Sequence, residues 1–102
     1  MNRPDIVRQI AETMHRVAPA AQMVVYGSEA RGDARPDSDI DLLILMEASD
    51  WTAEQELMLR RPLSELEVQT GVAINSLVVS RQEWEHKMTP FTLNVKREGI
   101  VL

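Results

Sequence analysis

The sequence predicts an α/β protein, in which a small mixed β-sheet has helices packed against it. Segments with apolar residues at helical spacing alternate with short β-prone runs, and glycine, proline and N-cap residue types separate them. In chain order, the predicted elements are α-β-α-β-α-β-α. The 102 residues, 44% of them apolar, suffice for one compact core and are too few for two, so we expect a single domain over residues 1–102.

The first helix is predicted over residues 4–17 and is closed by Pro19. Its apolar residues recur at helical spacing, with charged residues between them: Ile6, Ile10, Met14 and Val17. A β-prone run over residues 22–26 follows and stops at Gly27, which predicts the first strand.

Residues 27–38 are rich in Gly, Asp, Arg and Pro, which predicts a loop with room for one helical turn. The second strand is predicted over residues 39–46. Past Asp41 its residues are apolar on both faces, so we expect both faces of the far end of this strand to be covered.

A long helical region is predicted from a capping box at Thr52 and Gln55 to about Thr70. Pro62 lies inside it and is expected to kink the helix or split it in two. Gly71 is a suitable C-terminal cap.

The remaining chain predicts a third strand over residues 72–79 and two short helices. The first helix begins at Ser80, an N-cap type three residues before Glu83, and ends near residue 88. The second follows Pro90 and ends near residue 99. Residues 100–102 form an apolar tail, which is expected to cover a sheet edge or contribute to an interface.

Composition excludes several functional classes. The formal net charge of −5 argues against a protein that coats nucleic acid, because polyanion binding needs a basic surface. The absence of cysteine excludes disulfides, zinc–thiolate sites and thiol nucleophiles. No apolar run is long enough for a membrane helix and none near the start resembles a signal peptide, so we expect a cytoplasmic protein without membrane association.

The pair Gly27-Ser28 at the end of the first predicted strand is a candidate phosphate-binding turn. Glycine lets backbone N–H groups approach a ligand closely, and Ser28 is an N-cap residue type. Free N–H groups at such a turn suit phosphate. Taken alone, the pair is weak evidence, because most Gly-Ser pairs are ordinary turns.

Asp39 and Asp41 make the phosphate interpretation more specific. Residues two apart on a strand point to the same face, so these two carboxylates are expected side by side. Their mutual repulsion is relieved by a hard cation, and Mg²⁺ is typically held by one or two carboxylates and the phosphate oxygens of a substrate. The alternative is that both aspartates are solvated at the start of a strand.

Together these residues resemble the signature of the minimal nucleotidyltransferase domains of the DNA polymerase beta superfamily. The matching segments are Gly27-Ser28, Ala30-Arg31-Gly32 and Ser38-Asp39-Ile40-Asp41-Leu42. The resemblance implies a polymerase-beta-like nucleotidyltransferase fold, in which Gly27 and Ser28 bind a nucleoside triphosphate and Asp39 and Asp41 bind catalytic Mg²⁺.

The implied reaction is attack of an acceptor hydroxyl on the α-phosphate of a nucleoside triphosphate, with ATP as the expected nucleotide and pyrophosphate as the product. Arg31 is expected to add a charge-assisted contact to the outer phosphates. Pairing of Arg31 with Glu29 or Asp33 is the competing interpretation. Arg35 is expected to be solvated.

The resemblance also implies a third carboxylate on the next strand, and this sequence has none there. Asn75 is the residue expected at the equivalent position, with Ala73 as the other candidate. Asparagine can bind a cation through its carbonyl oxygen but brings no charge and cannot act as a base.

Two functions therefore remain open. The first is an active nucleotidyltransferase. The second is a catalytically impaired nucleotide-binding or partner-binding module, similar to small family members that act as antitoxins beside a helical HEPN-type protein. Because so small a domain has little room for a second substrate, association with a partner or with a second copy of the chain is also expected.

Overall fold

The computed structural model describes all residues, Met1–Leu102, as a four-stranded mixed sheet with helices on both faces. The strands are β1 (Gln22–Tyr26), β2 (Ile40–Met46), β3 (Ile74–Ser80) and β4 (Ile100–Val101). Their order in the sheet is β3-β2-β1-β4; β2 pairs with β3 in parallel, whereas β1 pairs with β2 and with β4 in antiparallel fashion. The predicted fold class is confirmed.

The helices are α1 (Pro4–Val17), α2 (Gly27–Arg31), α3 (Ala53–Thr70), α4 (Arg81–His86) and α5 (Pro90–Glu98). The predicted first helix and first strand have the observed bounds, and the single helical turn predicted after Gly27 is α2. The predicted bounds of the later elements were less accurate by one or two residues, because strand ends depend on pairing with neighbouring strands.

Two apolar clusters cover the two faces of the sheet. On one face α1 and α3 pack on a core that includes Met23, Ile40, Leu42 and Ile44, all of them fully buried. On the other face α4 and α5 contribute Trp84 and Val95, which pack against a smaller set of strand residues: Val24, Tyr26, Leu43 and Leu45. Both faces of β2 are therefore covered past Asp41, as the apolar run predicted.

Helix α3 runs through Pro62 as one helix, so of the two effects expected of this proline, a kink or a split, the split does not occur. A proline removes the hydrogen bond to the carbonyl four residues earlier, which belongs to Met58. The side chain of Met58 is 63% exposed, so this turn of the helix faces water, which can bond to the free carbonyl. The capping box of Thr52 with Gln55 and the left-handed Gly71 at the C-terminus both form as predicted.

The apolar tail covers a sheet edge, one of the two roles predicted for it. Ile100 and Val101 pair with Val25 and Val24 of β1, so the end of α5 is held beside the end of β1. None of the five helices combines the length and the apolar character that crossing a bilayer requires.

Candidate functional site

One row of side chains crosses the sheet where β1 ends and where β2 and β3 begin. Tyr26 of β1 is in register with Asp41 of β2, and Asp41 is in register with Asn75 of β3. Residues in register point to the same face, which here is the face covered by α4 and α5. The candidate site lies at this end of the sheet.

Gly27 turns the chain from β1 into α2 and contacts Asp41 directly. Its φ of 71° is in the left-handed region that favours glycine. A Cβ placed on Gly27 would lie 2.3 Å from Oδ2 of Asp41. The carboxylate therefore occupies the space left by the missing side chain, so the predicted phosphate-binding turn and one predicted metal ligand are adjacent.

Asp39 and Asp41 flank Ile40, whose side chain is fully buried in the core beneath α1 and α3. The Ile40 N–H donates to the carbonyl of Ala73, which fixes the entry of β2 against the segment before β3. Strand alternation then turns Asp39 and Asp41 toward the other face. Asp41 is half-buried, whereas Asp39 is exposed and makes no side-chain hydrogen bond.

Asn75 contacts Asp41 and is in register with it, whereas Ala73 lies outside the paired residues of β3. The Asn75 Nδ2 atom donates to Oδ1 of Asp41 at 3.1 Å. Of the two positions offered by the sequence for a third acid, Asn75 is thus the neighbour of Asp41. The amide stabilises the aspartate by a hydrogen bond and adds no negative charge there.

Ser28 and Arg31 lie at the two ends of the five-residue helix α2. The Ser28 carbonyl accepts from Gly32 and Asp33, while its hydroxyl takes part in no hydrogen bond. Arg31 is exposed and bonds to Asp33 Oδ2 at 3.3 Å and to Glu98 Oε2 at 3.1 Å. The hydrogen bond that Arg31 donates to Glu98 is the main cause that raises the pKa of Arg31, and the hydrogen bond and charge of Asp33 add to it.

Of the two acids named as competing partners of Arg31, Asp33 does pair with it, whereas Glu29 has another partner. The Glu29 side chain is fully buried, and its Oε1 accepts from Nε of Arg3 at 2.7 Å. Its Oε2 accepts from the backbone N–H groups of Asn2 and Arg3 at 2.8 and 2.7 Å. Glu29 therefore attaches helix α2 to the start of α1 and does not pair with Arg31, which lies on the same helix.

Arg3 also connects Glu29 to the segment that precedes the candidate metal ligand Asp39. Its Nη1 donates to the carbonyl of Ser38 at 2.7 Å, and Ser38 directly precedes Asp39. The side chain of Arg3, which is 13% exposed, thus holds both α2, which carries Ser28, and the residue that leads into β2. Sequence analysis missed Arg3 and Glu29 because their separation of 26 residues gives no local pattern.

Burial tends to raise the pKa of Glu29, but the hydrogen bonds and charge of Arg3, with the N–H of Asn2, outweigh burial and hold that pKa below its ordinary 4.5. Tyr26, also missed from the sequence, has a raised pKa for two reasons. Its ring is buried, and the negative charge of Asp41 opposes formation of the phenolate.

Glu98 is the fourth residue that the sequence did not point to. It is the last residue of α5, and its Oε1 accepts from the Gly27 N–H at 3.1 Å. Because 71 residues separate the two, only the pairing of β4 with β1 brings them together.

The side chains at this site are of the chemical type that binds a hard cation. Two carboxylates, from Asp39 and Asp41, and an amide, from Asn75, are oxygen-bearing groups of the type that Mg²⁺ takes, and Mg²⁺ commonly completes its shell with water and phosphate oxygens. No group of three His, Cys, Asp or Glu side chains in the structure is arranged to hold a metal ion.

The sequence matches a known protein family. A family profile described as a nucleotidyltransferase domain matches residues 7–93. The chain is 35% identical over 82 residues to the "putative protein adenylyltransferase MJ0604" of Methanocaldococcus jannaschii. The aligned segment covers 79% of this chain and 76% of that protein.

Solved structures show the same fold. A "putative minimal nucleotidyltransferase" is 30% identical with a TM-score of 0.62, covering 100% of this chain and 97% of the other. A "putative nucleotidyltransferase" from Sulfolobus solfataricus has a TM-score of 0.63 at 18% identity, over 95% of this chain and 76% of the other. A toxin–antitoxin structure with AMP-PNP has a TM-score of 0.59 at 14% identity, over 95% and 69%.

Proposed function

Since this chain belongs to the nucleotidyltransferase domain family and has the polymerase-beta-like fold of its minimal members, we propose that it transfers a nucleoside monophosphate from a nucleoside triphosphate, ATP in the first instance, to an acceptor hydroxyl. The acceptor oxygen bonds to the α-phosphorus and the bond from that phosphorus to the bridging oxygen breaks. Pyrophosphate leaves with the electron pair, and the hydroxyl proton passes to solvent.

The contact between Gly27 and Asp41 is the observation that carries the proposal. Two features meet at one end of the sheet. One is a glycine turn followed by a serine whose hydroxyl makes no hydrogen bond, and the other is a pair of aspartates two residues apart. The turn offers donors to phosphate oxygens, and the aspartates offer acceptors to a cation. A metal-bound triphosphate is the common ligand that needs both kinds of group at this separation.

In this proposal Gly27 and Ser28 bind the outer phosphates, with Arg31 as a charged donor beside them. Asp39 and Asp41 would hold Mg²⁺, which when bound supplies positive charge to the triphosphate and its leaving group. The half-buried Asp41 accepts a hydrogen bond from Asn75 and fits into the space left by the missing side chain of Gly27. Asp39 is exposed and free to turn toward a ligand.

The proposal is tested by calorimetric titration of ATP, with and without Mg²⁺, into wild type and into the double variant Asp39→Asn/Asp41→Asn. Binding that requires Mg²⁺ and disappears in the variant is expected. Equal binding by both proteins would contradict the site. The other nucleoside triphosphates are titrated in the same way to establish the base preference.

A second candidate function is a partner-binding module that has lost catalysis, and Asn75 is the observation that favours it. The carboxylate implied by the family is replaced at this position by an amide that bonds to Asp41. Solved toxin–antitoxin structures share the fold, which makes a helical HEPN-type protein the partner to test. Partner binding that survives Asp39→Asn/Asp41→Asn would support this function, and a second copy of the chain would be detected by mass in solution.

A further inference from the structure

The carboxylate of Glu98 occupies the two donors that the proposed function assigns to phosphate. Oε1 accepts from the Gly27 N–H and Oε2 accepts from Nη1 of Arg31, each at 3.1 Å. The Glu98 side chain is 20% exposed; its contact with Gly27 is partly buried, whereas its contact with Arg31 is exposed. Both carboxylate oxygens are thus used, one on each donor.

A carboxylate and a phosphate compete for such donors because both are anionic and present two oxygens to N–H groups. A backbone amide has a single hydrogen, so the Gly27 N–H cannot serve Glu98 and a phosphate fully at the same time. Binding of a triphosphate at Gly27 therefore requires displacement of Glu98.

The position of Glu98 in its helix is otherwise unfavourable for a carboxylate. It is the last residue of α5, where the partial negative charge of the helix end favours cations. The contact with Arg31 and Gly27 compensates for this cost. The side chain is consequently held in place by the two donors rather than by its own helix.

The backbone at Glu98 is fixed, so release is a movement of the side chain alone. A Cβ on the next residue, Gly99, would lie 2.6 Å from the Val24 side chain, and β4 begins at Ile100 in register with Val25. The end of α5 is therefore pressed against β1. Rotation about the side-chain bonds of Glu98 frees both donors without opening the sheet.

We infer that Glu98 is an internal competitor of the nucleotide, which holds the phosphate-binding donors in the free protein and lowers the affinity of the site for triphosphates. This inference rests on the proposed function, because it takes Gly27 and Arg31 as the donors to phosphate. It assigns to α5 a control of nucleotide affinity that lies outside the Gly-Ser turn and the aspartates.

The test compares wild type, Glu98→Gln and Glu65→Gln in calorimetric titration with Mg²⁺ and α,β-methylene ATP, which cannot be transferred. Glu65 is an exposed acid on α3, on the other face of the sheet, so its variant controls for the loss of one negative charge. Glu98→Gln is expected to bind roughly tenfold more tightly than Glu65→Gln, because the competing acceptor has lost its charge.

The outcomes separate the inference from the proposed function. Equal or weaker binding by Glu98→Gln, with binding by wild type intact, would overturn the role of Glu98 and leave the site standing. No binding by any of the three proteins would overturn both. Tighter binding by Glu98→Gln but not by Glu65→Gln supports both.

A second measurement follows the contact without nucleotide. The chain has 4 glycines, so the amide resonance of Gly27 is readily assigned in a ¹H–¹⁵N spectrum. Loss of the charged acceptor in Glu98→Gln is expected to move this proton resonance upfield, whereas Glu65→Gln leaves it in place. An unchanged Gly27 resonance in folded Glu98→Gln would show that the donor is not held by Glu98 and would overturn the inference.

Discussion

The carboxylate of Asp41 lies where a side chain at residue 27 would have to be, since a Cβ on Gly27 would approach its Oδ2 to 2.3 Å. The glycine is thus required twice, once by its φ of 71° and once by this neighbour. Gly71 has a nearly identical φ of 73° at the end of α3, with nothing within 4 Å of a Cβ there. The two glycines form a matched pair that separates backbone strain from contact with Asp41.

Gly27→Ala is therefore expected to destabilise the fold more than Gly71→Ala. Left-handed backbone costs an alanine about 1 kcal/mol at either position. At residue 27 overlap with Asp41 adds roughly 1–3 kcal/mol and displaces the carboxylate. Urea denaturation measures the difference, and titration with Mg²⁺ and ATP is expected to show weaker binding only for Gly27→Ala. Equal losses of stability would show that Asp41 moves aside without cost.

Glu29→Gln removes the charge from a buried pair and leaves the guanidinium of Arg3 without a carboxylate. We expect a loss of about 3 kcal/mol in the free energy of unfolding, because breaking one partner of a buried ion pair leaves the other uncompensated. Glu56→Gln is the control, since its ion pair with Arg60 is more exposed. A change below that of Glu56→Gln would show that Glu29 contributes little to the attachment of α2.

The same residue predicts a dependence of stability on pH. Because the pKa of Glu29 is lower in the folded protein than its ordinary 4.5, the unfolded chain takes up the proton first. The stabilisation is complete above pH 4.5 and is lost as the pH falls through the folded-state pKa. The difference in unfolding free energy between wild type and Glu29→Gln is thus expected to shrink between neutral pH and about pH 3. A constant difference across this range would contradict the lowered pKa.

The phenol of Tyr26 reports on Asp41 without any ligand. The chain has 1 tyrosine, so absorbance at about 295 nm, where the phenolate absorbs, follows this group alone. Burial and the charge of Asp41 both raise its pKa above 10.0, so Asp41→Asn is expected to lower the midpoint while leaving it above that of a free phenol. Asp39→Asn serves as the control and is expected to shift the midpoint less, because Asp39 is exposed. Equal shifts in the two variants would contradict the contact, provided that circular dichroism shows folded protein at each pH.

The sequence predicted the elements well because each is encoded locally. The spacing of apolar residues gave α1, the capping boxes gave the starts of α3 and α4, and Gly27 gave the end of β1. The Gly-Ser turn and the Asp-x-Asp pair were found because their chemistry depends on residues close together in the chain.

The contacts that complete the candidate site could not be found in this way. Arg3 reaches Glu29 over 26 residues and Glu98 reaches Gly27 over 71, so both pairs exist only after the sheet has formed. Of the two local acids named for Arg31, Asp33 does pair with it, whereas Glu29 is taken by Arg3, which comes from another element.

Asn75→Asp restores a carboxylate beside Asp41 and is expected to make the fold dependent on Mg²⁺. Without metal, two adjacent carboxylates repel each other, and the hydrogen bond from Asn75 to Asp41 is lost, so stability should fall by about 1 kcal/mol or more. With Mg²⁺ the third acid adds a ligand and charge, and we expect the affinity for the ion to rise roughly tenfold. Ser64→Asp, which adds the same charge on an exposed part of α3, is the control in thermal denaturation with and without Mg²⁺. If Mg²⁺ raises the melting temperatures of both variants equally, residue 75 does not face the cation, and Asn75 is not the position of a third carboxylate ligand.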